Sequence, residues 1–146
     1  MVYLLFVSVP LSWCLSEWLD DGEIISPSLV PFVKEWMSDM DEAGIAYENE
    51  FADIRHIELA YFFTNKAGSS SRFKHMIEIK MDLAKRGPAS VKATLYHELG
   101  HYIFQLKHDC CVIMERRIRQ EADYTENWNT YLTEYLEVCK ASLAEP

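Results

Sequence analysis

The pentapeptide His97-Glu98-Leu99-Gly100-His101 constrains this chain more than any other feature. It sits in a stretch that reads as helix. Gly87-Pro88 supplies the start, with proline at the first helical position, where a missing N–H costs nothing. Val91, Leu95, Leu99 and Tyr102 then recur at helical spacing as a buried stripe. Two histidines four apart lie one above the other on a helix face, so both imidazoles reach one ion. Glu98 is rotated by about 100° from His97, which puts it beside such an ion rather than on it. With 5 histidines in 146 residues, chance supplies about 0.02 such motifs, so composition does not explain it.

That spacing points to Zn2+ held by His97 and His101. Zinc lowers the pKa of bound water towards about 7, and Glu98 can take a proton from that water and pass it to a leaving amine. A catalytic zinc usually has three protein ligands. His108 is one candidate, if a turn after the helix swings it back. Glu121, on the next helix, is the other, and Glu115 is a weaker option.

The rest reads as an α+β single domain with a small sheet packed on the HExxH helix. A first helix opens at Ser26-Pro27-Ser28, buries Leu29, Val33, Trp36, Met40 and Ala43, and stops at Gly44. Ile54–Phe63 and His75–Met81 read as strands, in a hairpin or one small sheet. Residues 65–71 (NKAGSSS) read as a polar loop between them. A last helix covers about Glu121 to Ala141, with Trp128, Tyr131, Leu132, Tyr135, Leu136 and Cys139 on its apolar face.

Net charge is −9, which repels phosphate backbones and argues against nucleic acid as partner. The charge is uneven. Residues 51–96 hold four acids and eight bases, so the middle of the chain is the one place that welcomes an acidic partner. Cys14, Cys110, Cys111 and Cys139 lack CxxC spacing and read as free thiols in a reducing compartment, with disulfides only on export. Cys110 and Cys111 could also approach the metal as inhibitory thiolates. Residues 1–16 are uncharged and apolar, suited to a signal or anchor but too short to span a bilayer as a helix. The domain expectation is therefore 1–16 as a separable segment and 17–146 as the folded unit. The cytoplasm is favoured, with a membrane in play only if residues 1–16 anchor the chain.

HELGHYIFQLKHD followed by Val112-Ile113-Met114 resembles the metzincin arrangement, in which the HExxH helix is followed by a glycine turn, a third histidine and a methionine turn under the zinc. Here Phe104 stands at the glycine position, and His108 comes one residue later than in HExxHxxGxxH, where Lys107 stands. Over roughly residues 26–138 the chain also resembles short metallopeptidases of phages and bacteria. That resemblance implies His108 as third ligand, Met114 as supporting methionine and a peptide or protein substrate. Gln120-Glu121-Ala122-Asp123 looks like the glutamate helix of thermolysin-like proteases, which keeps Glu121 open. Peptidases of these kinds hold substrate as an added strand, for which Ile57–Phe63 or His75–Met81 could offer the edge and Tyr61, Phe62 and Phe63 side-chain pockets. Tyr124, Tyr131 and Arg116 are candidates to stabilise an oxyanion. Three functions compete: a zinc metalloendopeptidase, a non-catalytic zincin-like module that acts by interaction or keeps zinc as a staple, and, more weakly, a zinc hydrolase of non-peptide amides.

Overall fold

The computed structural model describes residues 25–144. The apolar segment 1–16 and Cys14 lie outside them. Among the described residues no helix is long and apolar enough to cross a membrane.

Helix α1 (Val30–Ala43) begins with proline in its first turn and ends at Gly44, whose φ of 67° places it in the left-handed region. Gly44 and Ile45 donate their N–H groups to the carbonyls of Asp41 and Met40, which satisfies the helix end. A one-turn helix, α2 (Glu48–Ala52), follows. Strands β1 (His56–Ala60), β2 (Gly68–Ser71) and β3 (Met76–Lys80) form a sheet in the order β1-β3-β2. Helix α3 (Pro88–Phe104) carries HELGH, and α4 (Glu121–Ala144) closes the chain. Short 3-10 turns occupy Met81–Lys85 and Val112–Met114.

The sheet is the second of the two arrangements read from the sequence, one small sheet rather than a hairpin, with one further strand. β1 and β3 run parallel, with Ile57 opposite Ile77 and Leu59 opposite Ile79, so they are not a hairpin. The serine-rich segment supplies β2, antiparallel to β3 from Gly68–Ile79 to Ser71–Met76. Ile57, Ile77 and Ile79 are buried on the inner face, as period-two alternation requires. Tyr61 and Phe63, read above as candidates for side-chain pockets, are exposed beyond the end of β1. The outer edge of β1 is covered: Ile25 bridges to Ile57, Ser26 donates its N–H to the Ile57 carbonyl at 2.8 Å, and Leu59 donates to Ser26 Oγ. β2 has no strand on its outer edge among the described residues.

Aromatic residues tie the helices together around the motif. Trp36 of α1 is fully buried, meets the Tyr47 ring edge-on at 5.0 Å, and donates its indole N–H to the Tyr135 hydroxyl of α4. Tyr135 in turn donates to the Tyr96 carbonyl of α3 at 2.8 Å. Tyr96 donates its own hydroxyl to Asp39 at 2.6 Å. Buried polar tips need partners, so this chain fixes α3 on both sides immediately before His97.

Candidate active site

His97 and His101 leave the same face of α3. His97 Nδ1 lies 2.9 Å from the Ile113 carbonyl, and His101 Nδ1 lies 2.7 Å from the Leu106 carbonyl. A carbonyl only accepts, so each Nδ1 carries the proton and each neutral ring presents a bare Nε2 lone pair. His101 Nε2 stands 3.0 Å from His97 Nε2 and 3.1 Å from His108 Nε2. Lone pairs of His97 and His101 so close repel unless a cation lies between them. Protonation does not relieve this near neutrality: burial pushes the His97 pKa down to about 4 and lowers that of His101. All three ligand atoms lie within 4.8 Å of one another, the one such His/Cys/Asp/Glu group among the described residues. Two nitrogens each 2.0–2.1 Å from a tetrahedral zinc are about 3.3 Å apart, close to the spacings found. The Nδ1–carbonyl bonds are the outer contacts that fix ligand orientation in such sites. Donor type, number, spacing and support all fit zinc.

His108 reaches the site through a left-handed turn. Helix α3 continues through Phe104, and Gln105 takes φ 54° as the chain reverses, with Leu106 donating its N–H to the Gly100 carbonyl at 3.1 Å. The turn at Gln105 comes one residue later than the glycine position of the HExxHxxGxxH pattern, which is Phe104 here. A turn at that position brings His108, rather than residue 107, back to His97 and His101. A side chain at positive φ costs about 1–2 kcal/mol, and glycine adds back about 0.4–1 kcal/mol of chain entropy. Gln105→Gly is therefore expected to gain up to about 1 kcal/mol in thermal melts with zinc content unchanged. A loss of that size would mean that the glutamine side chain holds the turn.

Met114 lies below the helix. It is fully buried, and a Cβ on Gly100 would come within 2.9 Å of its sulfur. Glycine at position 100 lets the Val112–Met114 turn press against α3 and hold the Ile113 carbonyl under His97.

Glu98 points from α3 towards β2. It is only 6 % exposed, and burial pushes its pKa up to about 7, against the opposing pull of a hydrogen bond with Ser70 and the charge of Lys66. A Cβ on Gly68 would lie 2.8 Å from the Glu98 side chain. The small residues of β2 thus permit the close approach that buries Glu98. Neither Ser70 nor Gly68 was among the expected site residues; the run of small residues at 67–71 was the available signal.

Glu121, the alternative third ligand, is engaged elsewhere. Its carboxylate accepts the N–H groups of Ala89 and Ser90 and the Ser90 hydroxyl, each at 2.8 Å. It caps the positive end of α3. Gly87, at φ 137°, leaves room for it, since a Cβ there would collide with the carboxylate. Seven helical residues separate Ser90 from His97, about 10 Å. Glu115 is held by Arg119 through both oxygens, at 2.7 and 3.0 Å. Tyr131 is bonded to Asp123 and does not line the cleft, whereas Tyr124 and Arg116 do. Burial pushes the Cys111 thiol up to about 12, so it is no thiolate at neutral pH. Cys110, Cys111 and Cys139 are unpaired.

The cleft over these residues holds about 670 Å³, with β2 along one side and residues 115–118 along the other. No family model, curated protein or solved structure matches the chain. The assignment rests on the geometry itself: His97, Glu98, His101 and His108 form a zincin-type active site.

Proposed function

We propose that the protein is a zinc-dependent metalloendopeptidase. The observation that carries this is the convergence of three histidine Nε2 atoms, two of them bare, beside a buried carboxylate in an open cleft. His97, His101 and His108 would hold zinc, which supplies Lewis acidity towards water and a substrate carbonyl. Glu98 is suited to receive the proton of the attacking water and deliver it to the leaving amine, because it is a carboxylate one residue from His97 that burial keeps readily protonated. Tyr124 is the best-placed donor to a developing oxyanion of the three considered. Its hydroxyl accepts the Arg119 N–H at 3.1 Å, leaving its proton free, and burial raises its pKa so that the proton stays on. β2 offers backbone groups to an extended substrate, a role earlier considered for β1 or β3, which are covered or central.

The competing module reading has no use for Glu98. A structural zinc site needs ligands and no base, yet Glu98 is held buried at an energetic cost. The test is hydrolysis of a mixed peptide library by protein carrying about one zinc per chain. Cleavage should stop with a chelator and return with zinc. A folded, zinc-loaded protein that cleaves nothing would hand the lead to the module.

A further inference from the structure

Building on the peptidase reading, we infer that the cleft selects peptides with acidic side chains on both sides of the bond to be cut. The molecule carries −9, yet four bases line this cleft: Lys66 and Arg72 at the two ends of β2, and Arg116 and Arg117 on the opposite rim. Lys66 and Arg72 are six residues apart, about 20 Å of extended chain. Gly68, against Glu98, lies between them. A strand laid along β2 would therefore meet positive charge on either side of the reacting centre.

The acids of the cleft do not cancel these charges. Glu115 is saturated by Arg119, and Glu98, which feels the charge of Lys66, is a single buried carboxylate against four bases. Arg116 has a partner in Asp109, but at 3.7 Å and with both groups largely exposed, which contributes little. Among the described residues Lys66, Arg72 and Arg117 form no ion pair. Like charges gathered around a cleft focus its field and raise the local concentration of the opposite charge. Isolated solvated lysines and arginines would be scattered; these converge on one groove while the acidic excess lies elsewhere. An extended peptide both donates to and accepts from the β2 backbone, whereas a polyphosphate chain offers acceptors only.

The experiment uses zinc-loaded Glu98→Gln protein, so that binding is read without turnover. Three fluorescein-labelled peptides of equal length, with Glu, Gln or Lys flanking a common centre, are compared by anisotropy at low and high salt. The acidic peptide should bind roughly tenfold or more tightly than the neutral one, and the advantage should shrink as salt rises. Adding Lys66→Ser and Arg117→Ser should cut the acidic peptide's advantage at least in half, with zinc content and melting temperature retained. Equal affinities would overturn the inference. So would an acidic advantage left undiminished by the double substitution, or equally tight binding of a single-stranded oligonucleotide of the same charge. Acidic preference without cleavage by the zinc-loaded wild type would remove the peptidase reading and leave acidic recognition standing. Cleavage of all three peptides at one rate would do the reverse.

Discussion

Glu98→Gln is expected to lower peptide hydrolysis by a factor of about 10²–10⁴ while the protein keeps its zinc, the range contributed by a positioned general base. Glutamine fills the same space beside Gly68 and can still bond Ser70, but it cannot take a proton. The same substitution separates charge from shape in the metal-free protein. An ordinary glutamate titrates at 4.5, and here burial raises it to about 7. Between these values the unfolded chain has released the proton that the folded chain retains. Wild-type stability should therefore fall as pH rises from 4.5 through 7 and level off above, by at most roughly 3 kcal/mol. The variant should lack this slope and melt higher at pH 8. Parallel pH profiles for the two would show that the carboxylate is solvated rather than buried, and unchanged hydrolysis would end the catalytic assignment of Glu98.

His108→Ala is expected to weaken zinc binding by more than about 100-fold, since even outer contacts to ligands are worth 10–100-fold. Glu121→Ala should keep its zinc. Its cost is structural: with the cap gone, two α3 N–H groups and the Ser90 hydroxyl lose their acceptor, for roughly 2 kcal/mol of stability. Elemental analysis after dialysis, paired with thermal melts, reads both. The opposite pattern, zinc lost with Glu121 and kept without His108, would move the third ligand to α4.

What could be read in advance follows from which interactions are local. The HELGH helix and α1 announce themselves through apolar periodicity, Pro88 and Gly44, and those signals lie within the elements they define. The choice between His108 and Glu121 does not. It turns on one left-handed residue, Gln105, whose side chain has no preference for that conformation, so the turn left no mark. β2 was hidden for a different reason. Gly-Ser-Ser-Ser carries no strand propensity, and it becomes a strand because β3 offers backbone partners and α3 presents Glu98 and Thr94 to its small residues. The parallel pairing of β1 with β3 is likewise a long-range result that neither strand encodes.

The site is assembled from contacts of very different reach. His97 to His108 is a stretch of twelve residues, and the carbonyls that orient the first two imidazoles, at 106 and 113, lie within or just beyond it. Glu98 depends instead on Gly68 and Ser70, about thirty residues upstream. Short loops close early and cheaply, and distant pairings late. Metal capture can therefore precede completion of the fold. A destabilised variant would pass through a loaded but idle state, its ion in place while the carboxylate is back in water and the template strand is gone. In such variants bound zinc counts chains that have formed one corner of the molecule, and only turnover counts those that have formed the whole.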